Sequence, residues 1–318
     1  MNLVSRTGRK VRAAVAALLV VVVLVACTDE ADPEEKHEVE VSGDFGSVPV
    51  VTFEPPLPLA DASVETLVEG DGRKLAADEP VLLSLTAYDG DSGELVEDRE
   101  VGVARTFMLT PEDVGEDLFD VLTGSREGSR LLLRQPVDEG GEEHMLVLVV
   151  DVRYTQARGQ EVDPASLPDG LPTVTLDEDG APSIEVPDSP PPDELVVEPL
   201  IRGGGPQVRP GQEVILQYTG VEWQSGEIYD STWEGGKVPQ TVLLDETFKG
   251  LRDGLVDQTV GSQVLLVIPP GLAHGTETLV LVVDILATSG GSSDTVVSPE
   301  TDTPTAEESD EASETPTD

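Results

Sequence analysis

The residue types that most often bind metals or act as nucleophiles are few and widely spaced in this chain. Of 318 residues, three are histidines (His37, His144 and His274) and one is a cysteine, Cys27. A structural zinc site takes its four ligands mainly from Cys and His at short spacings, so this set nearly excludes one. The single cysteine also excludes an internal disulfide framework. His274 has the side chain that titrates near neutral pH, but no catalytic partner for it can be identified. We therefore expect no metal and no cofactor.

Cys27 follows a short apolar segment at the start of the chain. A basic head, Arg6 to Arg12, precedes the apolar run Ala13–Ala26. That run has roughly 14 residues, too few to be a confident bilayer span of about 20. It ends in Leu24–Cys27, which resembles the lipobox of bacterial lipoprotein signal peptides. The resemblance implies a signal peptide over residues 1–26, lipidation of Cys27, and a cell-membrane location on the extracytoplasmic side. The alternative is an uncleaved membrane anchor in which the cysteine occurs by chance.

Acidic residues greatly outnumber basic ones. The chain has 63 Asp and Glu against 19 Lys and Arg, which gives a formal net charge of −44 at pH 7. Proteins bind nucleic acid through Lys and Arg contacts to phosphate, so this balance argues against a nucleic-acid partner. Adhesion of a folded domain to anionic lipid needs the same residues. Membrane attachment is therefore expected through the lipid anchor, and we expect a monomer.

Two acidic segments flank the central part of the chain. Residues 27–47 show no apolar periodicity, and residues 288–318 are rich in Ser, Thr, Pro, Asp and Glu. Neither composition can bury a core, so both segments are expected to be disordered. The first is then an acidic tether that holds the folded part off the membrane, although both segments could serve solubility alone.

The central part contains an internal repeat at a constant offset of 133 residues. Such an offset, kept through separate blocks, indicates a duplicated domain. We define the first copy as residues 48–155 and the second copy as residues 199–287. The matching blocks are Ser92–Glu94 with Ser225–Glu227, Gly128–Ser129 with Gly261–Ser262, and Leu146–Asp151 with Leu279–Asp284.

A segment rich in Pro, Asp and Glu, residues 156–198, joins the two copies. It is expected to be a linker, cut by protease between two modules that unfold separately. Two short segments in it, Val174–Leu176 and Ile184–Val186, are candidates for a pair of edge strands.

In the second copy, several strands accompany one short helix. Apolar and β-branched runs predict strands at Val214–Val221, Ser262–Ile268 and Thr278–Leu286. Phe248–Val256 places apolar residues at i, i+3 and i+7, which predicts an amphipathic helix. One helix among several strands indicates an α+β unit in which a sheet packs on a helix.

Several blocks of the second copy occur in a recognisable order and spacing. They are Gln217–Gly220, Tyr229–Trp233, Lys249–Leu255, Val260–Ser262, Ile268–Pro270, Ala273–Gly275 and Thr278–Leu286. Together they resemble the FKBP-type peptidyl-prolyl isomerase domain over about residues 199–287. The resemblance implies an antiparallel half-barrel sheet wrapped on a short helix, with an apolar pocket between them. Through the repeat, it extends to two tandem FKBP-like domains, the first of them degenerate.

The reaction that this resemblance implies needs neither a nucleophile nor a metal. Prolyl isomerisation rotates a C–N bond with a barrier of about 18–20 kcal/mol, and no bond breaks. A dry apolar pocket disfavours the charge-separated planar amide relative to the twisted one. A few hydrogen-bond donors then stabilise the twisted amide.

The resemblance assigns roles to individual positions of the second copy. Tyr218 corresponds to the pocket tyrosine, Tyr229 stands where the family has a pocket phenylalanine, and Asp230 is the adjacent carboxylate; these three are the candidate catalytic residues. Thr247 and Phe248 correspond to the pocket pair at the start of the helix and are candidates for binding substrate.

Three further substrate-binding positions depart from the family pattern. Leu251 replaces the tryptophan of the pocket floor, His274 replaces a tyrosine, and Leu281 replaces an aromatic residue of the last strand. The loop between Gly275 and Thr278 is also short. Each departure lowers the apolar area that a bound proline can bury, which predicts weak activity.

The first copy lacks this set of pocket residues. The positions of Tyr218, Tyr229 and Asp230 hold Leu85, Val96 and Glu97. We expect the first copy to be a structural or binding domain without catalysis. The function that the resemblance implies is peptidyl-prolyl isomerisation that assists folding of exported, proline-containing polypeptides. The alternatives are a chaperone or partner-binding lipoprotein that kept the fold without the chemistry, and an envelope lipoprotein in which both copies are spacers.

Overall fold

The computed structural model describes residues 38–96, 101–177, 179–234 and 237–290. These residues belong to one compact unit that begins at Glu38. In the described ranges, no helix is long and apolar enough to cross a bilayer. Cys27, the predicted signal peptide of residues 1–26 and the tail from residue 291 lie outside the described residues, as does Glu97.

The first copy forms an antiparallel sheet with two short helices. Among the described residues, the sheet has the strand order β3-β6-β7-β4-β5, and a separate pair, β1 and β2, precedes it. The elements of the first copy and of the segment before it are β1 (Glu40–Ser42), β2 (Val50–Thr52), β3 (Ser63–Val68), β4 (Pro80–Asp89), β5 (Ala104–Met108), α1 (Pro111–Val114), α2 (Glu116–Leu122), β6 (Arg130–Glu139) and β7 (Glu142–Arg153).

The second copy forms a similar antiparallel sheet around one short helix. Its described strands follow the order β13-β12-β16-β15-β11-β8, and β14 also pairs with β12. The elements of the second copy and of the segment before it are β8 (Gly159–Glu161), β9 (Thr173–Leu176), β10 (Pro182–Glu185), β11 (Val196–Gly203), β12 (Glu213–Glu222), β13 (Ile228–Ser231), β14 (Gln240–Leu243), α3 (Lys249–Leu255), β15 (Gln263–Ile268) and β16 (Leu279–Ser289). A sheet-rich chain with short helices and antiparallel sheets is the α+β class that the sequence predicts.

The 133-residue offset of the sequence repeat recurs in the elements. Strand β12 corresponds to β4 at both ends, and helix α3 corresponds to α2 at both ends. The same offset relates β3 to the start of β11 and β6 to the start of β15. The two copies therefore share the order of their main strands and of the helix.

The apolar runs of the second copy are buried on both faces of its sheet. In β16, Leu279, Leu281 and Val283 face the core beneath α3, while Val280 and Val282 belong to a second cluster on the opposite face. A strand covered on both faces reads as a continuous apolar run rather than an alternating one.

The segment predicted to be a linker folds against this opposite face. Strand β8 joins the edge of the sheet by pairing with β11, and β9 pairs with β10 so that Val174 lies opposite Ile184. Both side chains pack against the cluster that contains Trp223. The pairing of the two candidate edge strands is confirmed, but the segment is part of the fold of the second copy rather than a free linker.

The predicted disorder of residues 27–47 is wrong for the end of that segment. Strand β1 pairs with β2, and the alternating residues Val39 and Val41 pack on an apolar cluster of the first sheet. The Gly46 N–H also donates to the Asp151 carboxylate at 2.7 Å. At the other end of the molecule, β16 continues to Ser289, two residues beyond the predicted end of the second copy.

The two copies also share a small apolar cluster. Leu82 of β4 packs with Ile215 of β12 and with Leu286 and Ala287 of β16, and all four side chains are buried. This contact differs from the expectation of two modules joined by a linker alone.

Candidate active site

The predicted site residues of the second copy line one cavity. It has a volume of about 230 Å³ and lies between the inner face of the sheet and helix α3. This volume is below the roughly 300–1,000 Å³ of typical ligand pockets, so the cavity suits a small apolar group. The eight residues brought together are Tyr218, Tyr229, Asp230, Thr247, Phe248, Leu251, His274 and Leu281.

Two neighbouring strands supply the back of the cavity. Because side chains alternate along a strand, Leu216 and Tyr218 of β12 point to the same face. Tyr218 lies opposite Val283 of β16, and Gly220 lies opposite Leu281. A Cβ atom on Gly220 would approach the Leu281 side chain to 2.5 Å, so glycine at this position leaves room for Leu281 beside it.

Helix α3 supplies the floor. Thr247 and Phe248 precede its first turn, and Leu251, which is buried, follows within that turn. A Cβ atom at Gly250 would lie 2.2 Å from the Ile268 side chain, so glycine permits the helix to approach β15 closely. The Phe248 and His274 rings meet edge to face, with centroids 5.4 Å apart.

One edge of the cavity is polar. The Tyr218 hydroxyl donates to the Asp230 carboxylate at 2.6 Å, and the Ser231 N–H donates to the other carboxylate oxygen at 2.9 Å. The Lys237 ammonium lies 3.2 Å from that second oxygen. The hydrogen bond from Tyr218, aided by Lys237, holds the pKa of Asp230 below its usual range. Asp230 is therefore ionised at neutral pH.

The same contacts keep Tyr218 protonated. Burial, together with the hydrogen bond to the Asp230 carboxylate, raises the pKa of the Tyr218 hydroxyl well above its ordinary value. The Gln240 side-chain oxygen lies 3.3 Å from this hydroxyl. Since one proton cannot serve both acceptors, the shorter contact to Asp230 is the dominant one.

Tyr229, which stands where the family has a pocket phenylalanine, is an exposed residue. It lines the cavity, but 56% of its surface is exposed, and its neighbour Ile228 is 60% exposed. Strand β13 pairs with β12 at the edge of the sheet, so a side chain there borders the mouth of the cavity.

Sequence reasoning missed several residues of the site. Leu216, Leu279 and Val283 could have been found, because they alternate with residues already assigned on the same strands. Gln240 and Lys237 carry no such signal. Gln240 reaches the site because β14 pairs with β12 so that it lies opposite Leu216. Lys237 reaches it from the segment after β13.

Sequence comparison relates the second copy to a family of known proteins. The sequence model of the family described as FKBP-type peptidyl-prolyl cis-trans isomerase matches residues 204–284. A probable FK506-binding protein of Corynebacterium glutamicum is 36% identical over 115 residues, covering 33% of this chain and 97% of the relative. An FK506-binding protein of Streptomyces anulatus is 31% identical over 118 residues, covering 33% of this chain and 95% of the relative.

Among solved structures, the crystal structure of FkpA from Escherichia coli is similar at 24% sequence identity, with a TM-score of 0.29. The match covers 39% of this chain and 54% of that chain, so this chain spans about half of its length.

Proposed function

Because the chain belongs to the family of FKBP-type peptidyl-prolyl cis-trans isomerases, we propose that the cavity under helix α3 is the site where it isomerises prolyl bonds. The observation that carries this proposal is the convergence of all eight assigned side chains on one small cavity. The cavity combines an apolar floor and back with a polar edge at Tyr218 and Asp230.

The apolar part acts on the ground state of the substrate. A planar amide is stabilised by charge separation between its oxygen and nitrogen, and an apolar surrounding stabilises that separation poorly. The twisted amide has less charge separation, so the same surrounding favours it relative to the planar form. Leu251, Leu281 and Phe248 supply this surrounding for the prolyl ring.

The polar edge orients the peptide outside the ring. The ionised Asp230 is fixed by Tyr218, Ser231 and Lys237, so it adds an anchored negative charge without a mobile proton. The exposed Tyr229 then offers an aromatic face to the residue that precedes proline. Rotation about the C–N bond follows without covalent chemistry.

The wider role follows from the N-terminal sequence and the repeat. The chain is a lipoprotein anchored through Cys27 outside the cytoplasmic membrane, where it assists folding of exported polypeptides. The first copy is a second FKBP-like domain without catalysis. The lipobox resemblance and the shared element order support these two parts of the proposal.

A protease-coupled assay with a Phe-Pro peptide tests the catalytic part. The compact unit from residue 38 onward should accelerate isomerisation, and Phe248→Ala should lower kcat/KM about tenfold. The matched control is Val96→Ala in the first copy, which should leave the rate unchanged. No acceleration by a folded wild-type protein would support the non-catalytic chaperone instead.

Fractionation of cells tests the anchoring part. With Cys27→Ala, the protein should leave the membrane fraction. Membrane association that is unchanged in the variant, together with an uncleaved N-terminus in the wild-type protein, would contradict lipidation at Cys27.

A further inference from the structure

The first copy contains a larger cavity at the place where the second copy has its candidate active site. It has a volume of about 750 Å³ and lies between the first sheet and helices α1 and α2. Several of its lining residues occupy the repeat positions of active-site residues. Five leucines of this cavity are such counterparts: Leu83 (for Leu216), Leu85 (for Tyr218), Leu118 (for Leu251), Leu146 (for Leu279) and Leu148 (for Leu281).

Substitutions between the copies explain the larger volume. Leu85 replaces Tyr218, and Gly115 replaces Phe248 at the start of the helix. A Cβ atom on Gly115 would have no neighbour within 4 Å among the described residues, so the space that an aromatic ring takes in the second copy is open here. The cavity falls within the roughly 300–1,000 Å³ range of ligand-binding pockets.

The lining of this cavity is apolar, and its rim is mostly acidic. Leu85, Phe107 and Leu118 are half-buried, so each presents part of its apolar surface to the cavity. Among the described residues that line the cavity, Asp113, Glu116 and Asp117 are exposed acidic residues at the rim, and Arg105 is the basic one. The rim is therefore negative overall.

We infer that this cavity of the first copy binds unfolded polypeptide segments in which apolar side chains lie next to Lys or Arg. Leu and Phe side chains of such a segment enter the apolar interior, and the basic side chains pair with Glu116 and Asp117. Charge complementarity favours a basic segment. An acidic segment would be repelled by the acidic rim and by the net negative charge of the whole protein. This site is independent of the proposed catalytic cavity and requires no proline.

Fluorescence anisotropy tests this site directly on the compact unit of residues 38–318. The probe is a fluorescein-labelled, proline-free peptide of alternating Leu, Phe and Arg, and its partner probe carries Glu in place of Arg. The Arg peptide should bind at least tenfold more tightly than the Glu peptide, with an affinity that falls as salt rises. Equal binding of both peptides, or binding of neither, would overturn the inference.

Variants locate the site. Neutralising the rim with Glu116→Gln and Asp117→Asn should weaken binding roughly fivefold, as expected for two exposed ion pairs. Asp120→Asn, on the same helix but outside the cavity lining, is the matched control and should change the affinity less than twofold. Leu118→Lys places a positive charge in the cavity and should weaken binding further. The rim variant alters exposed side chains alone, so the test stands even if Leu118→Lys does not fold.

Isomerisation of a short Phe-Pro peptide gives an independent readout. The rim variant should leave this rate unchanged, because Glu116 and Asp117 lie outside the catalytic cavity.

Two binding results would show that the site is not in the first copy. One is equal binding of the Arg peptide by the rim variant and its control. The other is loss of binding in Leu251→Lys of the second copy.

Discussion

Leu251 forms the floor of the cavity that we propose as the catalytic site. It is buried beneath a cavity of about 230 Å³, so a larger side chain can extend into existing space. We predict that Leu251→Trp raises kcat/KM for a Phe-Pro peptide several-fold, because the added ring increases apolar contact with proline. Overpacking costs about 1–3 kcal/mol, which thermal unfolding would show. A variant that folds normally but loses activity would contradict this assignment of the floor.

Two buried aspartates at corresponding repeat positions have different partners. In the first copy, Asp151 accepts two hydrogen bonds from the Arg130 guanidinium, at 2.6 and 2.8 Å. In the second copy, Asp284 accepts from the neutral Gln263 amide and from the Ala157 N–H, both at 2.8 Å. Burial raises the pKa of Asp284 to about 7, because these two neutral donors only partly offset the cost of burying the carboxylate.

This difference predicts a pH dependence of stability. The folded-state pKa of Asp284 lies above its unfolded value, so the protonated form favours folding. The contribution of the protonated Asp284 carboxyl to the free energy of unfolding is fully present below about pH 4. Up to about 4 kcal/mol of this contribution is lost as the pH rises to about 7. Urea denaturation between pH 4 and 8 should show this loss, and Asp284→Asn should reduce it. Equal pH slopes for the two proteins would contradict the assignment.

At the residue scale, sequence resemblance located the pocket side chains but not their environments. Tyr218, Phe248 and Leu251 lie where the motif places them. The exposure of Tyr229 depends on β13 lying at a sheet edge, and the ion pair between Asp230 and Lys237 depends on the course of the chain after β13. Neither the exposure of Tyr229 nor this ion pair can be predicted from the local pattern of residues.

Strands β9 and β10 form the element that covers the outer face of the second sheet. Val174 packs into the cluster on that face, whereas Thr175 is exposed. We predict that Val174→Asp lowers the free energy of unfolding by about 2 kcal/mol, because it places an unpaired charge in an apolar contact. Thr175→Asp should change it by less than about 0.5 kcal/mol. Urea denaturation that shows equal effects would mean that the hairpin does not pack on the sheet.

Periodicity predicted the central elements well and their partners poorly. The i, i+3, i+7 pattern placed helix α3, and the apolar runs placed β12, β15 and β16. The Pro- and Asp-rich composition between the copies indicated a linker. Composition cannot show that Val174 and Ile184 pack on an apolar face formed by strands distant in the sequence. The two valines before residue 42 were missed for the same reason.

At the scale of the molecule, the copies are joined by more than the chain between them. A buried cluster contains Leu82, Ile215, Leu286 and Ala287, and Arg158 pairs with Asp71 at 2.9 Å.

We predict that Leu286→Glu uncouples the copies, so that one calorimetric transition becomes two. Two separate transitions in the wild-type protein would show that this contact does not couple them. The sequence repeat does not predict this contact, because the contact involves positions on the outer surfaces of both sheets.

Catalysis by the second copy is tested most directly by exchange between cis and trans forms of a Phe-Pro peptide. NMR exchange spectroscopy on the compact unit measures that rate without a coupling protease. The wild-type protein should accelerate exchange, and Asp230→Asn, which weakens the hydrogen bond from Tyr218 and the ion pair with Lys237, should reduce the acceleration about tenfold. Val96→Ala in the first copy should leave it unchanged. Exchange at the uncatalysed rate with folded wild-type protein, or an Asp230→Asn variant as active as wild type, would contradict the account.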